Sequence, residues 1–438
     1  MTALTATLDW AGPLPVEDSG DDSWLGALRR EAYARAAAQG FPTRKHEDWR
    51  YTRLAPLLAL ELSVAADAPA PEELAALDAR VPDLGGARVV FVNGHLDSSR
   101  SRLGGDAAGF RVKALAQALV EDRAVLEAHL RAALATSDTF GSLNTAFAAD
   151  GAYLVIDEEA VIEAPLHLVF LQSRTAGPLL VSPRTVVVAG AHSRATVVES
   201  YYGAADGCYL DNAVTEIVLG AGATLSHYKV QLEGEQAFHL AALDVRQGRD
   251  SHFSSQSLAL GGAIARHEVQ VHLTGEGASA EVNGLFMPHG EQQHDNPTTI
   301  AHDAGHCVSR ELYKGVVDDR AHGVFNGRVL VALDAGGTDA SQANKNLLLS
   351  DQAEVDTRPR LEILADDVKV SHGAAVGQLD DEALFYLRSR GIPEEAARQL
   401  LISGFVGELL ERFEPALLRS HVHELVAERV PVASRAGR

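Results

Sequence analysis

Two periods of hydrophobic positions divide the chain into three parts. Apolar residues recur three or four positions apart at 21–39 and 112–135, which predicts amphipathic helices in the first part. From Tyr153 onward, apolar and polar residues alternate in short segments, as they do in half-buried β-strands. After Gly377 the helical period returns. The pattern therefore predicts a mostly helical region at 1–150, a strand region at 151–377 and a helical region at 378–438.

Turns of small residues separate the predicted strands at regular intervals. They recur about every 27 to 31 residues at first and about every 15 later, a period that is typical of stacked repeats. Short strands with regular turns and no intervening helices predict a parallel β-helix or a large β-sandwich, and the regular spacing favours the β-helix. Gln342, Asn344 and Asn346 lie at alternate positions. If they face inward, their amides can hydrogen-bond between coils; the alternative is a strand face in solvent.

Composition excludes several classes of function. The 438 residues carry a formal net charge of −22, from 38 basic and 60 acidic residues, which disfavours nucleic acid as a partner. The two cysteines exclude a disulfide framework and a four-thiolate cluster site within this one chain. No apolar run approaches the roughly 20 residues of a membrane span, and no export signal is evident. We therefore expect a cytoplasmic protein without membrane contact.

His372 is the first candidate for chemistry. It lies between Ser371 and Gly373, where a predicted strand reaches the edge of the sheet. A neutral imidazole at such an edge is a good ligand for iron or for a Rieske-type cluster. The alternative is a structural histidine whose ring nitrogens are satisfied by neighbouring groups.

A second group of possible metal ligands lies at 289–307. Its most plausible members are His302, His306 and Cys307, but their spacing matches no compact zinc motif. The alternative is a set of polar turn residues around a cysteine that acts as a small buried hydrophobe. The chain also lacks the phosphate-binding loop of ATPases, so we expect no ATP hydrolysis by this chain.

Three segments resemble the SufD family, the scaffold subunits of the SUF iron–sulfur cluster assembly system. They are HEDWRYTRL, FNGRVLVALDAGGTDASQANKNLLLSDQAEVDTRPRLEI and ADDVKVSHGAAVGQLDDEALFYLRSRGIPEEAARQLLISGF. The resemblance implies a right-handed parallel β-helix between helical termini. It also implies a scaffold without enzymatic activity, which pairs with SufB along β-helix edges and binds the SufC ATPase through its C-terminal helices. Without SufB, the alternative partner is a second copy of the chain in a two-fold dimer.

The resemblance also assigns a role to His372. The histidine of the matching SHG motif is implicated, together with a cysteine of SufB, in holding a nascent cluster, so a transient iron–sulfur cluster or iron is expected in the complex and none in the isolated chain. Val370 stands where many family members have cysteine, so no thiol shares a face with His372. Flavin binding is left open. The remaining alternatives are a SufB-type scaffold and a β-helix carbohydrate-active enzyme.

Overall fold

The computed structural model describes residues 23–64, 68–103 and 109–430. Most of the described chain winds into a parallel β-helix of about eight coils, with α-helices at both ends. The predicted fold class, a mainly β protein built on a β-helix with helical termini, is therefore confirmed. None of the helices in the described ranges is both long enough and apolar enough to span a bilayer.

The strands form two sheets. Their bounds are β1 (Arg88–Val92), β2 (His95–Leu96), β3 (Phe110–Ala114), β4 (Gly151–Ile156), β5 (Leu166–Gln172), β6 (Leu179–Val181), β7 (Arg184–Ala189), β8 (Arg194–Gly203), β9 (Tyr209–Leu219), β10 (Thr224–Leu232), β11 (Phe238–Gln247), β12 (His252–Ala259), β13 (Ile264–Leu273), β14 (Ser279–Phe286), β15 (Gln293–His302), β16 (Val308–Val317), β17 (His322–Val331), β18 (Thr338–Leu348), β19 (Glu354–Thr357), β20 (Arg360–Ile363) and β21 (Val368–Gln378).

The helices lie before, within and after these strands. Their bounds are α1 (Trp24–Gln39), α2 (Ala55–Leu58), α3 (Pro71–Asp78), α4 (Leu115–Glu121), α5 (Arg123–Thr136), α6 (Thr139–Phe147), α7 (Asp381–Ser389), α8 (Glu394–Leu410) and α9 (Ala416–Arg429). The helix α7 begins where Asp380 accepts hydrogen bonds from the backbone N–H groups of Glu382 and Ala383, as an N-cap should.

From β7 to β19, successive strands alternate between the two sheets. One sheet has ten strands in the order β2-β1-β5-β8-β10-β12-β14-β16-β18-β21. The other has eleven: nine follow the path β19-β17-β15-β13-β11-β9-β7-β4-β3, and two lie off it, β20 paired with β17 and β6 paired with β9. Neighbours pair in parallel except β1 with β2 and β3 with β4. A strand and the next strand of its own sheet are thus one coil apart in the chain. This arrangement explains the regular spacing of the turns.

Each strand directs alternate side chains into the β-helix, where they stack on those of neighbouring coils. Phe91, Phe170 and Tyr201 form such a stack, with ring centroids 5.2 and 4.6 Å apart. The outward side chains of the ten-stranded sheet pack instead against α8, α9 and the connection between them. Tyr228, for example, contacts Phe413 of that connection, and the ring centroids are 5.5 Å apart. The helices therefore cover the outer faces of the sheets while aromatic and aliphatic columns fill the interior.

The HEDWRYTRL segment ties the N-terminal part to the last coils. Trp49 is buried, and the guanidinium carbon of Arg266 lies 3.9 Å from its ring centroid. Glu47 accepts from Arg358 at 2.9 Å and from Arg360 at 2.8 Å, both near the strands β19 and β20. Trp49 of this segment thus packs against the β-helix, while the charged residues beside it stay exposed and form ion pairs with the last coils.

Candidate functional site

The ten-stranded sheet ends in an open edge at β21. This strand pairs with β18 along all eleven of its residues, and no described strand pairs with its other side. Residues 371–378 of β21 are exposed. An edge of this length presents a row of backbone N–H and C=O groups that another strand can bind.

His372 lies near the middle of β21 rather than at its end. The sequence pattern predicted a strand that stops close to the histidine, because Gly373, Ala374 and Ala375 have low β propensity. Pairing with β18 overrides that local preference and extends the strand to Gln378. The histidine therefore lies within a regular strand and is followed by the small residues Gly373, Ala374 and Ala375.

The register shows which way His372 faces. Its Cα partner on β18 is Gln342, whose own partner on β16 is Glu311, and both of these side chains are buried in the interior. His372 continues this inward column into the last coil, where no further coil covers it, and it is exposed. A Cβ placed on Gly373 would meet no atom within 4 Å. The imidazole thus lies at the open end of the β-helix, in line with the inward side chains but exposed to solvent.

The groups beneath His372 are polar and buried. Gln342 Nε2 donates to Glu311 Oε2 at 2.6 Å, and Asn346 Nδ2 donates to Asn344 Oδ1 at 2.6 Å. Burial raises the pKa of Glu311 from 4.5 to about 7, although the Gln342 hydrogen bond lowers it. Of the two alternatives for the three amides, the inward one holds, since all three are buried. Only Gln342 bonds a side chain of the next coil, however, because Asn344 donates to the Tyr313 backbone carbonyl at 3.2 Å.

Val370 lies on the same strand, two positions before His372. It packs against a small apolar cluster that includes Val329, Val331 and Ala340. An aliphatic side chain therefore fills the position at which a thiol ligand would stand. His372 has no sulfur ligand beside it on this face of β21.

The other predicted ligands occupy three different environments. His302 is buried at the end of β15 with Nε2 2.9 Å from Ser309 Oγ, and burial lowers its pKa to about 4. His306 is exposed on a turn with a φ of 58°. Cys307 is buried and its Sγ–H donates to the Gly275 carbonyl at 3.4 Å; burial raises the pKa of its thiol. No group of three close metal-ligating side chains in the described ranges includes any of these residues.

The interior holds a cluster that sequence reasoning missed, formed by Asp211 of β9, Glu233 just after β10 and His239 of β11. One ligand atom from each lies within 4.8 Å of the others. Asp211 and His239 are Cα partners on neighbouring coils. Burial, with a contribution from Glu233, raises the pKa of Asp211 well above its usual range. The sequence held one signal for the pair Asp211 and His239: the number of residues between them equals one coil of the β-helix, which places them side by side on neighbouring strands.

A cleft of about 300 Å³ lies elsewhere, between α5, α6 and the outer face of the eleven-stranded sheet. Its charges are paired: Arg184 contacts Glu216 at 2.9 Å, and Arg266 bonds Asp295. Burial and the neighbouring Glu268 raise the pKa of Asp138 in this cleft to about 6. No strand of the last coil lines the cleft, so it is separate from the β21 edge.

Comparison with known proteins matches two family models to this chain. The model described as "SUF system FeS cluster assembly, SufBD core domain" matches residues 170–405, and "SufBD protein N-terminal region" matches residues 17–168. The chain is 33% identical to an iron–sulfur cluster assembly SufBD family protein of Synechocystis, over 93% of this chain and 92% of that protein. It is 34% identical to the iron–sulfur cluster assembly protein SufD of Escherichia coli, over 90% and 91%. SufD of Bacillus subtilis is 27% identical over 66% of each chain.

Proposed function

Because the chain belongs to the SufBD family of SUF iron–sulfur cluster assembly proteins, we propose that it is the SufD-type scaffold subunit of a complex with SufB and SufC. In this role it has no catalytic step of its own and forms one wall of the site where a cluster is built. The observation that carries the proposal is the open edge strand β21 with His372 exposed on it. The relatives reported above are assembly proteins, so no comparison favours the carbohydrate-enzyme alternative.

The edge of β21 suits a partner of the same architecture. A second β-helix that ends in an open strand can add that strand to the ten-stranded sheet, and main-chain hydrogen bonds then supply much of the affinity. Between Ser371 and Gly377 the exposed side chains are small, apart from His372 and Val376, so a facing strand can approach this part of β21 closely. SufB is the expected partner, and a second copy of this chain takes its place in a two-fold dimer when SufB is absent.

His372 supplies one ligand to the cluster or iron at this seam. A neutral imidazole binds iron, but a single histidine cannot hold a cluster. Val370 excludes a thiolate from the same face of this strand. The remaining ligands must therefore come from the partner across the seam, which makes the cluster a transient cargo shared between two subunits.

The C-terminal helices present an apolar surface for SufC. The helix α7 has no buried residue, and Phe385 and Tyr386 on it are 72% and 57% exposed. Leu400 on α8 is 54% exposed. Large apolar side chains that are exposed together on a terminal helical unit are typical of a protein interface.

The test is co-expression of the chain with SufB and SufC, followed by affinity purification and assay of bound iron and sulfide. His372→Ala should leave the three subunits co-purifying but abolish the iron–sulfur cluster. His306→Ala, at an exposed histidine on a turn, is the matched control and should retain it. Normal cluster content in His372→Ala, or loss of the cluster in His306→Ala alone, would contradict the assignment.

A further inference from the structure

The interior of the β-helix contains a compact acidic and imidazole cluster, well inside the sheets and away from β21. Asp211, Glu233 and His239 are 0%, 5% and 1% exposed. Asp211 and His239 are directly in register on β9 and β11, so their side chains lie one above the other. The backbone of Glu233 packs closely against Gly261 of the next coil. A Cβ on Gly261 would lie 2.1 Å from the Glu233 carbonyl oxygen, so this contact requires glycine.

Each of the three side chains has a polar atom that lacks a partner. Asp211 Oδ2 accepts from Gln172 Nε2 at 3.1 Å and Glu233 Oε2 accepts from Gln231 Nε2 at 2.8 Å. The second oxygen of each carboxylate has no hydrogen-bond partner among the described residues, and neither does either ring nitrogen of His239. His239 Nδ1 lies 2.9 Å from Glu233 Oε2, but without the angle of a hydrogen bond. Buried acceptors that lack a donor are strongly unfavourable.

The charges in this part of the interior do not balance. Among the described residues, Lys229 is the buried ammonium group whose charge acts on three buried carboxylates, those of Glu199, Asp211 and Glu233. It is the register partner of Glu199, and its Nζ lies 4.5 Å from the Tyr201 ring centroid. The cluster therefore needs either protons or a cation.

We propose that Asp211, Glu233 and His239 bind a divalent first-row transition-metal ion. One imidazole nitrogen and two carboxylate oxygens suit Zn²⁺, Mn²⁺ or Fe²⁺, and no thiolate is present that would select a softer ion. The 2.9 Å between His239 Nδ1 and Glu233 Oε2 is close to the separation of adjacent ligands around an octahedral metal with bonds of about 2.1 Å. The ion neutralises the excess carboxylate charge and links two neighbouring coils. All three ligands belong to this chain, so the site does not depend on the proposed function.

The experiment uses the isolated full-length chain, purified from medium supplemented with zinc, manganese and iron, and then exchanged with Co²⁺. Elemental analysis should give about one equivalent of metal, and the Co²⁺ form should show visible absorption bands of nitrogen and oxygen coordination. Asp211→Asn and His239→Gln should each lose at least nine-tenths of the metal. His267→Gln, at another histidine that is buried in the interior but outside the cluster, is the matched control and should keep it.

Circular dichroism shows whether each variant is folded, and Glu233→Gln replaces any variant that is not. A wild-type chain that holds less than a tenth of an equivalent under every loading condition would overturn the proposal. So would metal content that is equal in the wild type, Asp211→Asn and His239→Gln. None of these outcomes bears on the pairing with SufB.

Discussion

The substitution Glu311→Gln tests the electrostatics beneath His372. Burial raises the pKa of Glu311 from 4.5 to about 7 in the folded chain. Between these two values the folded state keeps a proton that the unfolded state releases, so the contribution of Glu311 to stability is full below pH 4.5 and is lost as the pH rises through 7. Over pH 5 to 8 this loss is about 2.5 kcal/mol, since a shift of one pKa unit corresponds to about 1.4 kcal/mol.

Glutamine has nearly the same shape as protonated glutamate and does not titrate. The free energy of unfolding of Glu311→Gln, relative to the wild type, should therefore rise by about 2.5 kcal/mol from pH 5 to pH 8. For a chain of this length that equals a relative increase of about 3 °C in the thermal midpoint. Differential scanning fluorimetry of both proteins in matched buffers measures it.

The control is Glu354→Gln, which removes one negative charge at an exposed position on β19. Its difference from the wild type should change little over the same range, because its carboxylate is in contact with water. A difference between Glu311→Gln and the wild type that stays flat from pH 5 to 8 would refute the claim that burial of the polar column under His372 raises the pKa of Glu311.

Three further predictions follow from the edge strand, the C-terminal helices and the N-terminal packing. Backbone N–H groups alternate in direction along β21, so proline at Ala374 or Ala375 removes a hydrogen bond to β18 in one case and an N–H group of the open edge in the other. The first substitution should lower the free energy of unfolding by about 1–3 kcal/mol, and the second should weaken co-purification with SufB without loss of stability. Equal behaviour of the two variants would contradict pairing through this edge. Phe385→Asp should abolish co-purification with SufC while SufB binding persists, and retention of SufC would place its docking surface elsewhere. Arg266→Ala should lower the free energy of unfolding by about 3–5 kcal/mol in urea titrations, because it leaves the buried Asp295 carboxylate without its partner; a loss under 1 kcal/mol would show that this ion pair is hydrated.

The architecture could be predicted because its signals are local. Alternation at period two and small residues at turns each act over a few positions, and every coil repeats them. The same alternation placed Gln342, Asn344 and Asn346 on one face, but it did not decide whether that face is buried. The length of β21 did not, because glycine and alanine after His372 carry no strand signal of their own. That strand is defined by pairing with β18, which is a tertiary contact.

The interior cluster required information that no single segment carries. Asp211 and His239 meet because they are one coil apart, which the turn spacing could have indicated. Glu233 joins them from beyond the end of β10 in the opposite sheet. Its position depends on the path of the turn between β10 and β11, and the lengths of such turns vary along the chain. Closeness in sequence was the reason for predicting His302, His306 and Cys307 as ligands. In a β-helix, residues that are close in sequence can point to opposite faces of a strand or lie on a turn, so these three side chains do not meet.

The most direct test of the central claim is photo-crosslinking from β21 in the complex with SufB and SufC. A photoreactive amino acid in place of Ala374, two residues from His372 and on the same face of the strand, should crosslink to a SufB peptide that mass spectrometry identifies. The account predicts that peptide to be a strand at an open end of SufB. Crosslinks to SufC alone, or none in an intact complex, would show that β21 and His372 do not face a second scaffold subunit.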